Sequence, residues 1–399
     1  MKRSLFPQIL AFILTRLVFN TMYRMVYPFL PFFVRGLGVD LESVSRAMSV
    51  RSVAGIFSPF LAVIADLRGR KAGMLFGLGL FLTGMALTAL FPNFWTFVVV
   101  LVLSNIGYLV FIPSMQAYLG DRIPYRQRGL PMALTELAWS LSFILLVPLA
   151  GWMIGRWGWS SPFPFLLVLG LLMLFLLAWQ IPKDPIPQPG AADLGKKFGI
   201  LLASPLALAG LAVGLLLNIG NEGVNLIFGV WMEGRFGFQL AALGLVSIGI
   251  GVAELGGETL VSALVDRIGK ARSVATGLLG NCLACLALAA LARLSLPGIP
   301  VLAVVGLLLF YLTYEFTIVS FLPLMSEVLP QARATLLAAN IAVLSLGRAA
   351  GAWLAPHLFS WGESTILVNA LAAVGFNLLA LVAVAFLRRV DQPEFYRHP

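Results

Sequence analysis

Residues Ala62 to Lys71 read Ala-Val-Ile-Ala-Asp-Leu-Arg-Gly-Arg-Lys. Asp66 closes one long apolar run. Gly69, Arg70 and Lys71 form a tight basic turn, and another apolar run begins at Ala72. A related stretch, Ser262 to Lys270, reads Ser-Ala-Leu-Val-Asp-Arg-Ile-Gly-Lys. There Asp266, Gly269 and Lys270 repeat Asp66, Gly69 and Arg70 two hundred positions later. Two copies at one offset, each between apolar runs, predict a chain built from two similar halves.

The 399 residues are 60% hydrophobic and 11% charged, against about 25% charged in an average soluble domain. This is the composition of a polytopic membrane protein. The net charge of +10 does not point to nucleic acid, because the basic residues cluster in short segments between apolar runs. No Gly-x-x-x-x-Gly-Lys phosphate loop occurs, and the many glycines lie inside apolar stretches. Cys282 and Cys285 are the only cysteines and stand three apart with no His or acid beside them. They read as buried packing. His357 and His398 cannot form a cluster by themselves. No metal and no cofactor are expected.

Met1-Lys2-Arg3 followed by apolar residues could pass for a signal peptide. The apolar stretch is too long, it carries Arg16, and no small-residue cleavage site follows. It is read as the first of twelve membrane helices. A span needs about 20 mostly apolar residues, and the twelve stretches are 5–34, 43–65, 72–91, 94–118, 129–155, 163–181, 200–232, 238–265, 272–293, 299–326, 331–360 and 363–387. Pro28 and Pro31 should end or kink the first, Pro148 the fifth and Pro323 the tenth. The basic residues set the orientation. With the N-terminus cytoplasmic, most lie inside, among them Lys2, Arg3, Arg68, Arg70, Lys71, Arg122, Arg126, Arg128, Lys196, Lys197, Arg267, Lys270, Arg272, Arg333, Arg388 and Arg389. Only Arg35, Arg46, Arg156, Arg235 and Arg293 fall outside. Both termini are therefore expected in the cytoplasm of a multi-pass protein of the cell (inner) membrane.

Pro182 to Lys197 is Pro-rich, charged and unable to span. The expected organisation is a six-helix bundle at 1–181, a linker at 182–199 and a second six-helix bundle at 200–399. The repeat shows again at the end of the fourth helix of each half. Asp121, Pro124 and Arg126 there match Glu327, Pro330 and Arg333.

With these motifs in place, the chain resembles the major facilitator superfamily over its whole length. In that family the loop between helices two and three reads roughly Gly-x-Leu-x-Asp-Arg-x-Gly-Arg-Arg/Lys. Asp66, Gly69, Arg70 and Lys71 match, while Ala62 replaces the usual Gly and Leu67 the usual first Arg. The resemblance implies an all-α membrane fold of two pseudo-symmetric halves, alternating access, and commonly a monomer. It also implies a cytoplasmic charge cluster that latches the halves. The candidates are Asp66, Gly69, Arg70 and Asp121 in the first half and Asp266 and Lys270 in the second.

An ionisable residue in hydrocarbon costs several kcal/mol and needs a partner, a water-filled cavity or a task. The first stretch carries Arg16, Asn20, Arg24 and Tyr27 on one face. Arg16 lies about 16 Å from residue 5, near the midplane. The seventh stretch carries Asn218, Glu222 and Asn225 on one face. Matching polar stripes suit a cavity between the halves. Asn105, Tyr108, Glu136 and Trp139 join from the fourth and fifth helices, Tyr314 and Glu315 from the tenth, and Arg348 from the eleventh. Glu254 and Glu258 stand one turn apart, so both cannot easily ionise in a low dielectric. The expected substrate contacts are Arg16, Asn20, Arg24, Asn105, Tyr108, Trp139, Asn218, Asn225, Tyr314 and Arg348. The expected proton carriers are Glu136, Glu222, Glu254, Glu258 and Glu315. The competing reading is structural ion pairing, such as Arg24 with Glu222 or Arg348 with Glu258.

No ATP site occurs, so an ion gradient is the expected energy source, with protons favoured over sodium by the several Glu. Relatives of this type often export amphipathic organic molecules. The helix-five exporter signature survives only as Leu145 to Gly151, Leu-Leu-Val-Pro-Leu-Ala-Gly. An importer or a lipid or lysolipid transporter for an anionic or zwitterionic solute stays open. A non-transporting enzyme or receptor is disfavoured, because no His, Cys or Ser constellation shares a face. The expected partners are a small-molecule substrate, protons and the lipid bilayer.

Overall fold

Proline at position 28 lacks the N–H that a continuing helix would need, and it pushes Tyr27 away from helical geometry. The first apolar stretch accordingly breaks. The computed structural model describes residues 5–58, 69–124, 127–182, 199–295 and 297–387. In it the stretch forms α1 (Phe6–Arg24) and α2 (Leu30–Leu37), joined by a turn. Next come α3 (Leu41–Val53), with a 3-10 extension over Ala54–Phe57, α4 (Arg70–Leu90), α5 (Phe94–Arg122), α6 (Gly129–Trp157) and α7 (Pro162–Gln180). The second half repeats the series as α8 (Pro205–Asn225), α9 (Phe228–Phe236), α10 (Leu240–Ile268), α11 (Lys270–Leu291), α12 (Ile299–Val328), α13 (Arg333–Trp361) and α14 (Leu367–Leu387). Among the described residues every regular element is helical, and ten helical stretches are long and apolar enough to cross a bilayer. The other two expected spans are the broken α1–α2 and α3, which runs to the edge of the described residues.

Contacts divide the chain into two compact units, Met1–Ala191 with Phe238–Gly251, and Ala192–Gly237 with Val252–Pro399. The Pro-rich stretch lies, but for Pro182, outside the described residues.

Within the first unit, α4 and α5 approach backbone to backbone. A Cβ on Gly77 would sit 2.5 Å from the Gly107 carbonyl, and one on Gly107 would sit 2.3 Å from the Gly77 carbonyl. Small residues permit this contact, which the bilayer itself does not drive. Phe19 fills the space beside it, 4.7 Å from Phe81 and 5.4 Å from Phe111 between ring centroids. Asn93 starts α5 with a capping box, accepting from the Thr96 N–H at 3.1 Å while its own N–H donates to the Thr96 hydroxyl.

The fifth stretch departs from a plain helix. Pro148 has no N–H to give, and one turn before it Ser142–Leu146 widens into a π turn. The faint exporter-like segment at 145–151 overlaps this widened turn.

In the second unit α8 packs on α13 and α14. A Cβ on Gly347 would come 2.6 Å from the Leu215 carbonyl. Buried amides tie α11, α12 and α14 together: Asn281 donates to the Phe310 carbonyl at 2.9 Å, and Asn377 donates to Asn281 Oδ1 at 2.8 Å. Such bonds hold helices where no water competes.

The sequence repeat is also a repeat of conformation. Gly69 (φ 90, ψ 155) starts α4 and Gly269 (φ 95, ψ 149) starts α11. Gly38 (φ 66) closes α2 and Gly237 (φ 70) closes α9, both in the left-handed region that glycine enters without strain. The seventh stretch, expected as one helix over 200–232, is instead broken after Asn225, although no proline stands there.

Candidate functional site

The polar stripe of α1 faces α6. Arg16 is 2% exposed, and its two terminal nitrogens bind the two carboxylate oxygens of Glu136, each at 2.6 Å. Bidentate pairs of this kind are the strong ones. Arg16 also reaches the Thr135 hydroxyl at 3.4 Å, and Tyr108 stands against the same guanidinium. The Glu136 side chain is 49% exposed. The pair therefore has a sealed cation and an open carboxylate. The sequence puts Arg16 among the substrate contacts and Glu136 among the proton carriers, and the fold joins them.

Two turns along α1, the Arg24 guanidinium lies between aromatic faces. Its central carbon is 4.3 Å from the Trp139 ring centroid and 3.5 Å from that of Phe143. It donates to the Trp139 carbonyl at 2.8 Å, at the entrance to the π turn. Between the two arginines, Asn20 is fully buried, and among the described residues neither amide atom has a hydrogen-bond partner. Asn105 is buried as well and donates to the Arg51 carbonyl at 2.8 Å. Arg51 is not among the residues to which the sequence assigns a role.

In the second unit Asn218 is the meeting point. Its Oδ1 accepts from the Tyr314 hydroxyl and from Arg348 Nε, both at 3.1 Å, and its amide donates to the Gly214 carbonyl at 3.0 Å. Asn225 donates to Glu222 at 3.5 Å and accepts from Tyr311. Tyr311 is not among the expected site residues; only its place one turn from Glu315 on the same helix hints at it. Glu222, Glu254 and Glu315 are buried, while Glu258 is half-buried. Glu315 packs on α10 at Gly257, where an added Cβ would meet the Glu315 Cβ at 3.0 Å. That contact brings Glu315 to the stretch of α10 that carries Glu254 and Glu258.

Among the described residues, two of the expected latch cations, Arg70 and Lys270, are ion-paired within their own units. Arg70 Nε meets Asp121 at 3.4 Å, and Lys270 binds Glu327. Asp266 is exposed at the end of α10, and Asp66 lies outside the described residues. Among the described residues no three His, Cys, Asp or Glu side chains gather as metal ligands, and Cys282 and Cys285 are free, buried thiols.

A wholly helical membrane molecule of two units, with charged side chains set inside its spanning helices, has the build of a carrier. The sequence profile described as the Major Facilitator Superfamily matches residues 12–352, and the chain belongs to that family of transporters. It is a multi-pass membrane protein and not an enzyme. It is 27% identical over 295 residues to the uncharacterized MFS-type transporter YwfA of Bacillus subtilis (strain 168), covering 70% of each chain. It is 28% identical over 271 residues to the multidrug resistance protein MdtG of Citrobacter koseri, covering 64% of this chain and 66% of the relative. Its fold is similar to the crystal structure of a D-xylose-proton symporter, with a TM-score of 0.74 at 19% identity over 98% of this chain and 99% of the other. It is also similar to the crystal structure of a mutant form of the nucleoside transporter NupG, with a TM-score of 0.75 at 12% identity over 95% and 99%. At these identities the solved structures speak for the fold alone.

Proposed function

We propose that this transporter is a secondary active carrier that exports amphipathic organic small molecules in exchange for protons. The observation that carries the reading is the Arg16–Glu136 pair. A carboxylate half open to its surroundings can receive a proton, while the buried guanidinium behind it cannot lose one. Protonation of Glu136 removes one charge of a bidentate pair. Arg16 is then left to seek another acceptor, and the energy of the unit changes with the proton. A ligand or proton moves a conformational equilibrium only through such a difference between states. Multidrug resistance proteins among the relatives, at 28% identity, support the export direction. The aromatic bed around Arg24 suits the apolar body of an amphipathic solute.

In this reading Asn20, Arg24, Asn105, Tyr108 and Trp139 of the first unit, with Asn218, Asn225, Tyr314 and Arg348 of the second, contact substrate. Glu222, Glu254, Glu258 and Glu315 assist Glu136 with protons. The carrier works as a monomer in the inner membrane, with both termini cytoplasmic and two six-helix halves joined at 182–199.

The test is proton flux in proteoliposomes under an imposed pH gradient, with amphipathic cations, organic anions and lysolipids added one at a time. Wild-type protein should dissipate the gradient with one class, and Glu136→Gln should not. A substrate that moves equally well through Glu136→Gln would remove proton coupling from this residue. Transport of lysolipids or organic anions inward would favour the importer or lipid reading.

A further inference from the structure

The breaks in the first and seventh apolar stretches share one hydrogen-bond pattern, two hundred positions apart. In a regular helix the Tyr27 N–H would bind the Tyr23 carbonyl. It binds the Arg24 carbonyl instead, at 3.2 Å. Likewise the Ile227 N–H passes over the Gly223 carbonyl and binds that of Val224 at 3.2 Å. Each slip takes the helical donor from one backbone carbonyl inside a spanning stretch. In hydrocarbon such a group needs another donor.

Each carbonyl receives one from a different helix of its own unit. Arg51 on α3, fully buried, donates from Nη1 to the Tyr23 carbonyl at 3.0 Å and from Nη2 to the Tyr27 hydroxyl at 2.6 Å. Its guanidinium carbon lies 4.0 Å from the Tyr23 ring centroid. Asn105 holds the Arg51 carbonyl in turn, where α3 tightens into its 3-10 extension. In the second unit Asn369 on α14, 1% exposed, donates to the Gly223 carbonyl at 2.9 Å and to the Ala355 carbonyl at 2.9 Å.

We propose that Arg51 and Asn369 are positioning residues that clamp the two helix breaks through the backbone carbonyls of Tyr23 and Gly223, and so fix where Arg24 and Asn225 stand. The clamps hold whichever ion drives transport and whichever solute is carried.

The experiment is backbone hydrogen exchange on the full chain in lipid nanodiscs, for wild type, Arg51→Gln, Arg51→Lys and Asn369→Leu. Arg51→Gln should speed exchange over residues 23–33 by about tenfold or more, the factor that one lost charge-assisted bond allows. Exchange in α5 and α7 should not change. Arg51→Lys, which keeps a cationic donor, should fall between wild type and Gln. Asn369→Leu, which removes the donor to the Gly223 carbonyl, should speed exchange over residues 223–232 by about fivefold, the factor for one neutral bond. Unchanged exchange over 23–33 in Arg51→Gln, or an equal rise in every helix of the unit, overturns the first clamp. Unchanged exchange over 223–232 in Asn369→Leu, or an equal rise in every helix of that unit, overturns the second.

Discussion

Arg16 and Glu136 hold each other through two bonds of 2.6 Å, yet only the arginine is sealed, at 2% exposure against 49%. The two single substitutions should therefore differ. Glu136→Ala strands a buried cation and should cost about 3 kcal/mol or more, in the range for breaking a buried pair. Arg16→Met leaves a carboxylate that its open side can solvate, and should cost about 1 kcal/mol. Thermal unfolding of the purified protein in one detergent measures both. Equal costs, or the reverse order, would mean that the exposure difference carries no energetic weight.

Asn218 Oδ1 serves two donors, Tyr314 and Arg348, each at 3.1 Å. Tyr314→Phe removes one and should cost about 1 kcal/mol. Asn218→Leu removes the acceptor of both and should cost at least about twice as much. If Tyr314→Phe proves the more damaging, Asn218 is not the centre of this cluster.

The Gly77–Gly107 contact leaves no room for a methyl group, since the added Cβ would stand 2.5 Å from backbone oxygen. Gly77→Ala should destabilise by about 1–3 kcal/mol through forced separation of α4 and α5. Gly79→Ala, one half-turn away with nothing within 4 Å, should be neutral or stabilising by about 0.5 kcal/mol. Matching melting temperatures for the two variants would count against close packing as the reason for glycine at 77.

Lys270 and Glu327 are both mostly shielded, at 27% and 23% exposure, whereas Asp121 opposite Arg70 is 57% exposed. A double-mutant cycle should give the Lys270–Glu327 pair the larger coupling, about 1 kcal/mol against a few tenths. High salt should erode the exposed pair first. Unfolding curves at low and high ionic strength decide the order.

Asp40 caps α3 by accepting from the Ser43 N–H at 2.7 Å, and hydrogen bonding from the Ser43 side chain together with that backbone bond holds its carboxyl below the usual range. A lowered folded-state value gives stability that is present above the unfolded value and lost as pH falls through the folded one. Wild type should therefore melt above Asp40→Ala at neutral pH, and the gap should close on acidification. A gap that persists unchanged into strong acid would show that the carboxylate charge is not what stabilises the cap.

Composition and run length were enough to define the class. Hydrophobic runs of spanning length follow from the thickness of the bilayer and need no tertiary contact to be read. The turn after Asp66 and its copy after Asp266 were legible because glycine alone takes that backbone at no cost, and Gly69 and Gly269 adopt nearly the same angles. The break after Arg24 was legible too, because Pro28 lacks a donor. The break after Asn225 was not, since no local residue requires it and its donor, Asn369, stands far along the chain. Pairing inside the membrane was equally hidden. Helical spacing puts Arg16, Asn20 and Arg24 on one face, but it cannot say that Arg16 meets Glu136 while Arg24 lies on Trp139 and Phe143. Those partners lie more than a hundred residues away, and only helix packing brings their side chains within bonding distance.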